Sequence, residues 1–193
     1  MDKNQIRFVM KGISILILIA GIVFLLFSGY ALYQTLNLEA GKSFSFRSAE
    51  RPNRQAGTFA ELASIAAAVY WLIRIVMVKL KNSPFKEWLR QLYMLLQKHH
   101  IFLGVITVVI AFIHGLYFFL FRNTNINMGP REHDNTLNFY TGIASFLALD
   151  VLAFLGLYHY SQRKTKRNKQ SKKQHMIAAL VFGILALVHI YLI

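Results

Sequence analysis

HIFLGVITVVIAFIH, residues 100–114, and HMIAALVFGILALVH, residues 175–189, decide how this chain is read. Each is a helix-length apolar run with a histidine at either end, and the two spacings are equal. At ~100° per residue, fourteen residues fall about 40° short of four turns, so both members of a pair share one face. At ~1.5 Å rise per residue they lie roughly 21 Å apart along the axis. Polar side chains inside a span are uncommon and usually turn towards the bundle interior.

The chain has 193 residues, of which 55% are hydrophobic, and contains no cysteine. Five stretches supply the ~20 apolar residues that a bilayer crossing takes. They lie at about Lys11–Tyr33, Phe59–Leu80, Ile101–Phe121, Tyr140–Tyr160 and Met176–Ile193. Together they leave no room for a conventional soluble domain. The expected architecture is therefore all-α, a single integral membrane bundle over residues 1–193 with about five transmembrane helices. The first stretch follows Lys3, Arg7 and Lys11 in the manner of a secretory signal. Its apolar run exceeds the usual ~7–15 residues and no small-x-small cleavage site follows, so a retained helix is expected.

A net charge of +14 would point to nucleic acid in a soluble protein. Here the basic residues lie between spans and read as topology signals, with no nucleic-acid partner. The link from Lys79 to Lys98 carries five, and Ser161–Gln174 carries seven, in Arg163–Lys169 and Lys172-Lys173. The alternate links carry fewer: Lys42, Arg47, Arg51 and Arg54 in one, Arg122 and Arg131 in the other. This predicts an inside N-terminus and an outside C-terminus, and a bacterial cell membrane is the expected location. The polybasic loop would also meet anionic membrane lipid.

Gln34–Thr58, polar with scattered Gly, Ser and Arg, is expected to be an external loop, and so is Arg122–Asn138, which includes Arg131-Glu132-His133-Asp134. In Lys81–Gln97, Ser83 is a plausible N-cap with Pro84 at the first helical position. Phe85, Trp88, Leu89, Leu92, Leu95 and Leu96 recur at helical spacing, opposite Lys86, Glu87, Arg90 and Gln97. A short amphipathic helix on the cytoplasmic interface is expected, feeding into the third span. It serves as a membrane-surface anchor, or more weakly as a dock for an electron donor.

Of the seven histidines, His99 and His159 read as interfacial residues bonded to water. A lone histidine in a span most simply bonds a carbonyl on a neighbouring helix. The joint pattern favours another chemistry. Two helices repeat one spacing and both run inside to outside, so His100 matches His175 in depth and His114 matches His189. Paired imidazoles at two depths are the axial ligand set of two stacked haems. Without cysteine there is no Cys-x-x-Cys-His attachment, so the haems would be b-type. Structural zinc wants four ligands around one ion, within ~2.3 Å. Pairs ~21 Å apart do not supply that. His99, fifteen residues before His114, is the alternative to His100.

The run Lys98-His99-His100-Ile101-Phe102-Leu103-Gly104, followed by His114-Gly115, resembles the first haem helix of the ferric reductase-like transmembrane family. That family includes the membrane domains of NADPH oxidases and yeast ferric reductases. His175 through His189, after a basic link, is similar to its second haem helix, and the similarity covers roughly residues 59–193. The resemblance implies electron transfer through two b haems, from a cytosolic flavin to an acceptor outside. The family's sixth helix and its flavin and nicotinamide domains have no counterpart in this sequence, and no Gly-x-Gly-x-x-Gly turn is seen. The implied donor is a separate flavoprotein or a membrane quinol, as in small stand-alone bacterial members. Gly41–Gly57, basic in character, or His133 would lie near the outer exit.

Arg74, about four residues short of the cytoplasmic flank of the second span, would hold an inner haem propionate or snorkel to the interface. Asp150, near the middle of the fourth span, would pair with Arg74, stay protonated or serve a proton path. Gly104, Gly115, Gly142, Gly156 and Gly183 would bring haem rings close to backbone or mark ordinary helix packing. Two other assignments are compatible with the chain: a haem-free membrane scaffold or transporter component, and a quinone-linked cytochrome b subunit of a larger dehydrogenase.

Overall fold

A computed structural model describes residues 3–37, 43–79, 85–122, 135–162 and 169–192. They form five helices: α1 (Lys3–Leu36), α2 (Ser43–Lys79), α3 (Lys86–Arg122), α4 (Asn135–Gln162) and α5 (Lys169–Leu192). There is no strand among the described residues. All five helices are long and apolar enough to cross a membrane. Large apolar side chains lie exposed along them, including Ile15, Ile22 and Leu26 on α1, Phe154 on α4, and Ile184 and Leu187 on α5. Helices that are apolar on their outer faces belong in lipid. This is an all-α integral membrane protein.

The helices run past the expected spans. At ~1.5 Å per residue the 37 residues of α2 extend about 55 Å, against ~30 Å of hydrocarbon. Ser43–Thr58, expected as part of an external loop, is the first part of α2. The overlooked signal is Ala49, Asn53, Ala56, Ala60 and Ala63, which recur every three or four residues and are all buried. That periodicity marks one helix face in contact with neighbours, and it overrides the polar composition around it. Arg54 and Glu50 pair one turn apart on the outside of the same stretch. Pro52 lies within α2. The amphipathic stretch Trp88–Gln97 is likewise not a separate interfacial helix. It is the opening of α3 and continues into the third span without a break. Ser83, Pro84, the loop around His133 and most of the basic loop lie outside the described residues.

The described chain divides into two compact units. The first holds α1, α2 and α3 up to His114, around a core of Ala31, Ala56, Ala60, Ala63, Ile106, Ile110 and Ile113. Small residues on α2 let the helix backbones approach, and Phe24 stacks on Phe59 with ring centroids 4.3 Å apart. Gly21 on α1 meets α3 closely: a Cβ there would lie 2.6 Å from Ile106 and 2.7 Å from Phe102. Gly21→Val is expected to destabilise the unit by about 1–3 kcal/mol through overpacking, read as a lower melting temperature in detergent. The second unit holds the chain from Gly115 on, with α4 packed along α5.

Candidate functional site

His100 and His114 lie on one unbroken helix, α3, and His175 and His189 on another, α5. The fourteen-residue arithmetic therefore applies to both pairs. All four side chains are half-buried.

In the first unit both histidines turn to α2. His114 Nδ1 lies 2.7 Å from the backbone oxygen of Asn53. His100 Nδ1 lies 3.1 Å from the backbone oxygen of Ala67, and its ring tilts against Tyr70 at 4.6 Å. Asn53 and Ala67 are themselves fourteen residues apart. A carbonyl only accepts, so Nδ1 carries the proton in each case and Nε2 holds the basic lone pair.

In the second unit the histidines turn to α4. Thr141 Oγ1, which donates to the Asn138 oxygen at 3.0 Å, stands 3.3 Å from His189 Nδ1. A Cβ on Gly142 would lie 3.0 Å from His189 Cε1, and one on Gly156 would lie 3.0 Å from His175 Cε1. Gly142 and Gly156 are also fourteen residues apart. Antiparallel packing carries the histidine spacing from α5 onto α4. The close approach of these two glycines is thus to imidazole rings. Beside Gly104, Gly115 and Gly183 no described atom lies within 4 Å of an added Cβ.

Asn53 is the hub of the His114 end of the first unit. Fully buried, it donates through Nδ2 to Thr35 Oγ1 at 2.9 Å, to the Ala49 oxygen at 2.8 Å and to the Ala31 oxygen at 3.3 Å. Its side chain holds α1 while its backbone oxygen receives His114 from α3. This residue was invisible as long as residues 34–58 were read as a loop.

His99 and His100 diverge. His99 is buried, and its Nε2 lies 2.7 Å from Ser14 Oγ on α1, so it is not the water-bonded interfacial residue expected. His159 Nδ1 on α4 lies 2.8 Å from Ser171 Oγ on α5. His100 alone of the adjacent pair shares the α2-carbonyl arrangement of His114. His99→Phe is expected to lower thermal stability by about 1–2 kcal/mol, through loss of the Ser14 bond in the bundle, and to leave the behaviour of His100 intact.

Arg74 is exposed on α2, two turns beyond Ala67 and on the same side of the helix. Asp150 is half-buried in α4. Glu61, also half-buried and one turn beyond Gly57, is a second acid within an apolar stretch that the sequence reading passed over. No group of three or more His, Asp or Glu side chains that could hold a metal ion forms among the described residues.

Fold and site together define an all-α membrane protein with histidine pairs repeated on two helices. No family profile matches this chain, and no curated protein or solved structure is significantly similar to it.

Proposed function

We propose that this protein is a membrane di-haem b-type cytochrome, similar to the ferric reductase-like family, that conducts electrons outward across the membrane. In this reading His100 and His175 ligate the inner haem, and His114 and His189 ligate the outer one. The pairing rests on the equal spacing of the two pairs and on the topology expected from the sequence, in which one crossing separates the third span from the fifth. Haem held by these histidines would supply a one-electron iron couple.

The observation that carries the reading is which nitrogen each histidine uses. His100 and His114 direct Nδ1 at backbone oxygens on the preceding helix, and His189 Nδ1 stands 3.3 Å from Thr141 Oγ1, whose own proton goes to the Asn138 oxygen. Metal-ligating histidines almost always donate their other ring N–H in this way, which fixes the ring orientation and raises ligand basicity. A bond to a carbonyl is also what a purely structural histidine makes. Nδ1 turned to an oxygen on the preceding helix in both hairpins, at one shared spacing, favours ligation. Arg74, on the side of α2 that carries the Ala67 carbonyl, suits a propionate of the inner group.

The electron donor would be a separate flavoprotein or a membrane quinol, and the acceptor an external one, such as a chelated ferric ion or a flavin. The test is electron passage across a sealed bilayer. In proteoliposomes with dithionite trapped inside and ferricyanide outside, bleaching of ferricyanide should exceed that of empty vesicles at least tenfold. Equal rates with and without protein would contradict the proposal.

A further inference from the structure

The two histidine hairpins repeat a smaller feature. On α2 the sequence Asn53-Arg54-Gln55-Ala56-Gly57 and on α4 the sequence Asn138-Phe139-Tyr140-Thr141-Gly142 both read Asn-x-x-x-Gly. In the first, the Asn53 oxygen receives His114 Nδ1 at 2.7 Å. A Cβ on Gly57 would lie 2.7 Å from His114 Cε1 and 2.9 Å from its Nδ1. In the second, Thr141 Oγ1 donates to the Asn138 oxygen at 3.0 Å and stands 3.3 Å from His189 Nδ1, and a Cβ on Gly142 would lie 3.0 Å from Cε1 and 3.5 Å from both ring nitrogens.

The spacing of four has a physical cause. In an α-helix the carbonyl of residue i points towards residue i+4, and the Cβ of residue i+4 leans back towards the N-terminus. That Cβ stands over the carbonyl. With glycine at i+4 the approach is open, and an imidazole from the next helix reaches an oxygen that already accepts within its own helix. Any side chain there displaces the ring.

We propose that Gly57 and Gly142 are positioning residues, which with the Asn53 carbonyl and the Thr141 hydroxyl hold His114 and His189 as Nδ1–H imidazoles presenting Nε2. Resting on the di-haem reading, this makes the two Asn-x-x-x-Gly turns matched seats for the ligands of the outer haem. The inner seat is built differently: the residue four beyond Ala67 is Trp71, and His100 meets its carbonyl at the longer distance of 3.1 Å.

The test uses the full chain in detergent micelles with nitrogen-15-labelled histidine, first without added haem and then loaded. Without haem, the resonances assigned to His114 and His189 should show a protonated Nδ1 and a bare Nε2. Gly57→Ala should move the His114 signals and leave those of His189, and Gly142→Ala should do the reverse. Gly29→Ala, where no described atom lies within 4 Å of the added Cβ, should move neither. In the loaded protein, each seat variant should weaken outer-haem binding about 10–100-fold and shift its low-spin electron paramagnetic signal.

Mixed tautomers in the unsubstituted protein would overturn the proposal, as would His114 signals unchanged by Gly57→Ala. If Gly57→Ala does not fold, Gly142→Ala poses the same question with a milder approach. A chain that shows the tautomers and their selective displacement but takes up no haem would keep the seats and sink the di-haem reading alone.

Discussion

His114→Ala is expected to lower the haem content from two per chain to one and to abolish ferricyanide reduction across the vesicle wall. The size of the effect separates the two roles this histidine can have. As an interhelical hydrogen bond it contributes about 0.6–2 kcal/mol, so its loss would lower the melting temperature slightly and nothing more. As a haem ligand it would be required to retain the group, so its removal would cost one haem per chain. His189→Ala should give the same spectrum as His114→Ala, because both would ligate one group. His100→Ala and His175→Ala should match each other and differ from the first pair. Pyridine haemochrome counts and reduced-minus-oxidised spectra of the four variants check this grouping. Four variants that each keep two haems would contradict the assignment.

Asn53→Leu should be the most damaging substitution outside the histidines. The side chain is fully buried and donates to three acceptors on α1 and α2. Leucine removes all of these bonds and leaves Thr35 Oγ1 without the donor it has from Asn53, at a cost of about 1–3 kcal/mol. It also forces a branched apolar side chain into a site shaped for a planar amide, adding about 1–3 kcal/mol of strain. A loss of roughly 2–5 kcal/mol is expected, measured as the denaturant midpoint or melting temperature in detergent. Asn53→Asp tests the account in a second way. A carboxylate cannot donate to these acceptors when ionised, so it should destabilise too, although its size is unchanged.

The helix count and the membrane character were legible because apolar runs of about twenty residues have few other uses. The ends of the helices were not. Hydropathy reports where lipid ends, and α2 and α3 continue beyond it as helix. Ala49, Asn53, Ala56, Ala60 and Ala63 carried that information as a three-and-four spacing of small residues, which an expectation of loop obscured. The amphipathic stretch before His99 was read correctly as helix but wrongly as a separate one, because nothing in its periodicity marks a join.

At the site, the four histidines could be found from spacing alone, whereas their partners could not. Backbone carbonyls have no sequence signature, so the Asn53 and Ala67 oxygens emerged only from the packing of α2 on α3. Glycine is the one residue type whose absence of a side chain can report such a contact. Gly142 and Gly156 repeat the histidine spacing on the helix before α5, and that match was present in the sequence. His99 and His100 differ by one residue, about 100° around the helix. This angle sends one to Ser14 on α1 and the other to α2, a choice that only the arrangement of three helices determines.

The central claim is tested most directly by an optical spectrum of the detergent-purified protein, expressed with ample haem, oxidised and then reduced with dithionite. Two b haems per chain by pyridine haemochrome, with the sharp reduced bands of low-spin bis-imidazole iron, are the result the account predicts. A folded, colourless protein would contradict it, and would leave the histidines as helix-to-helix hydrogen bonds in a membrane scaffold.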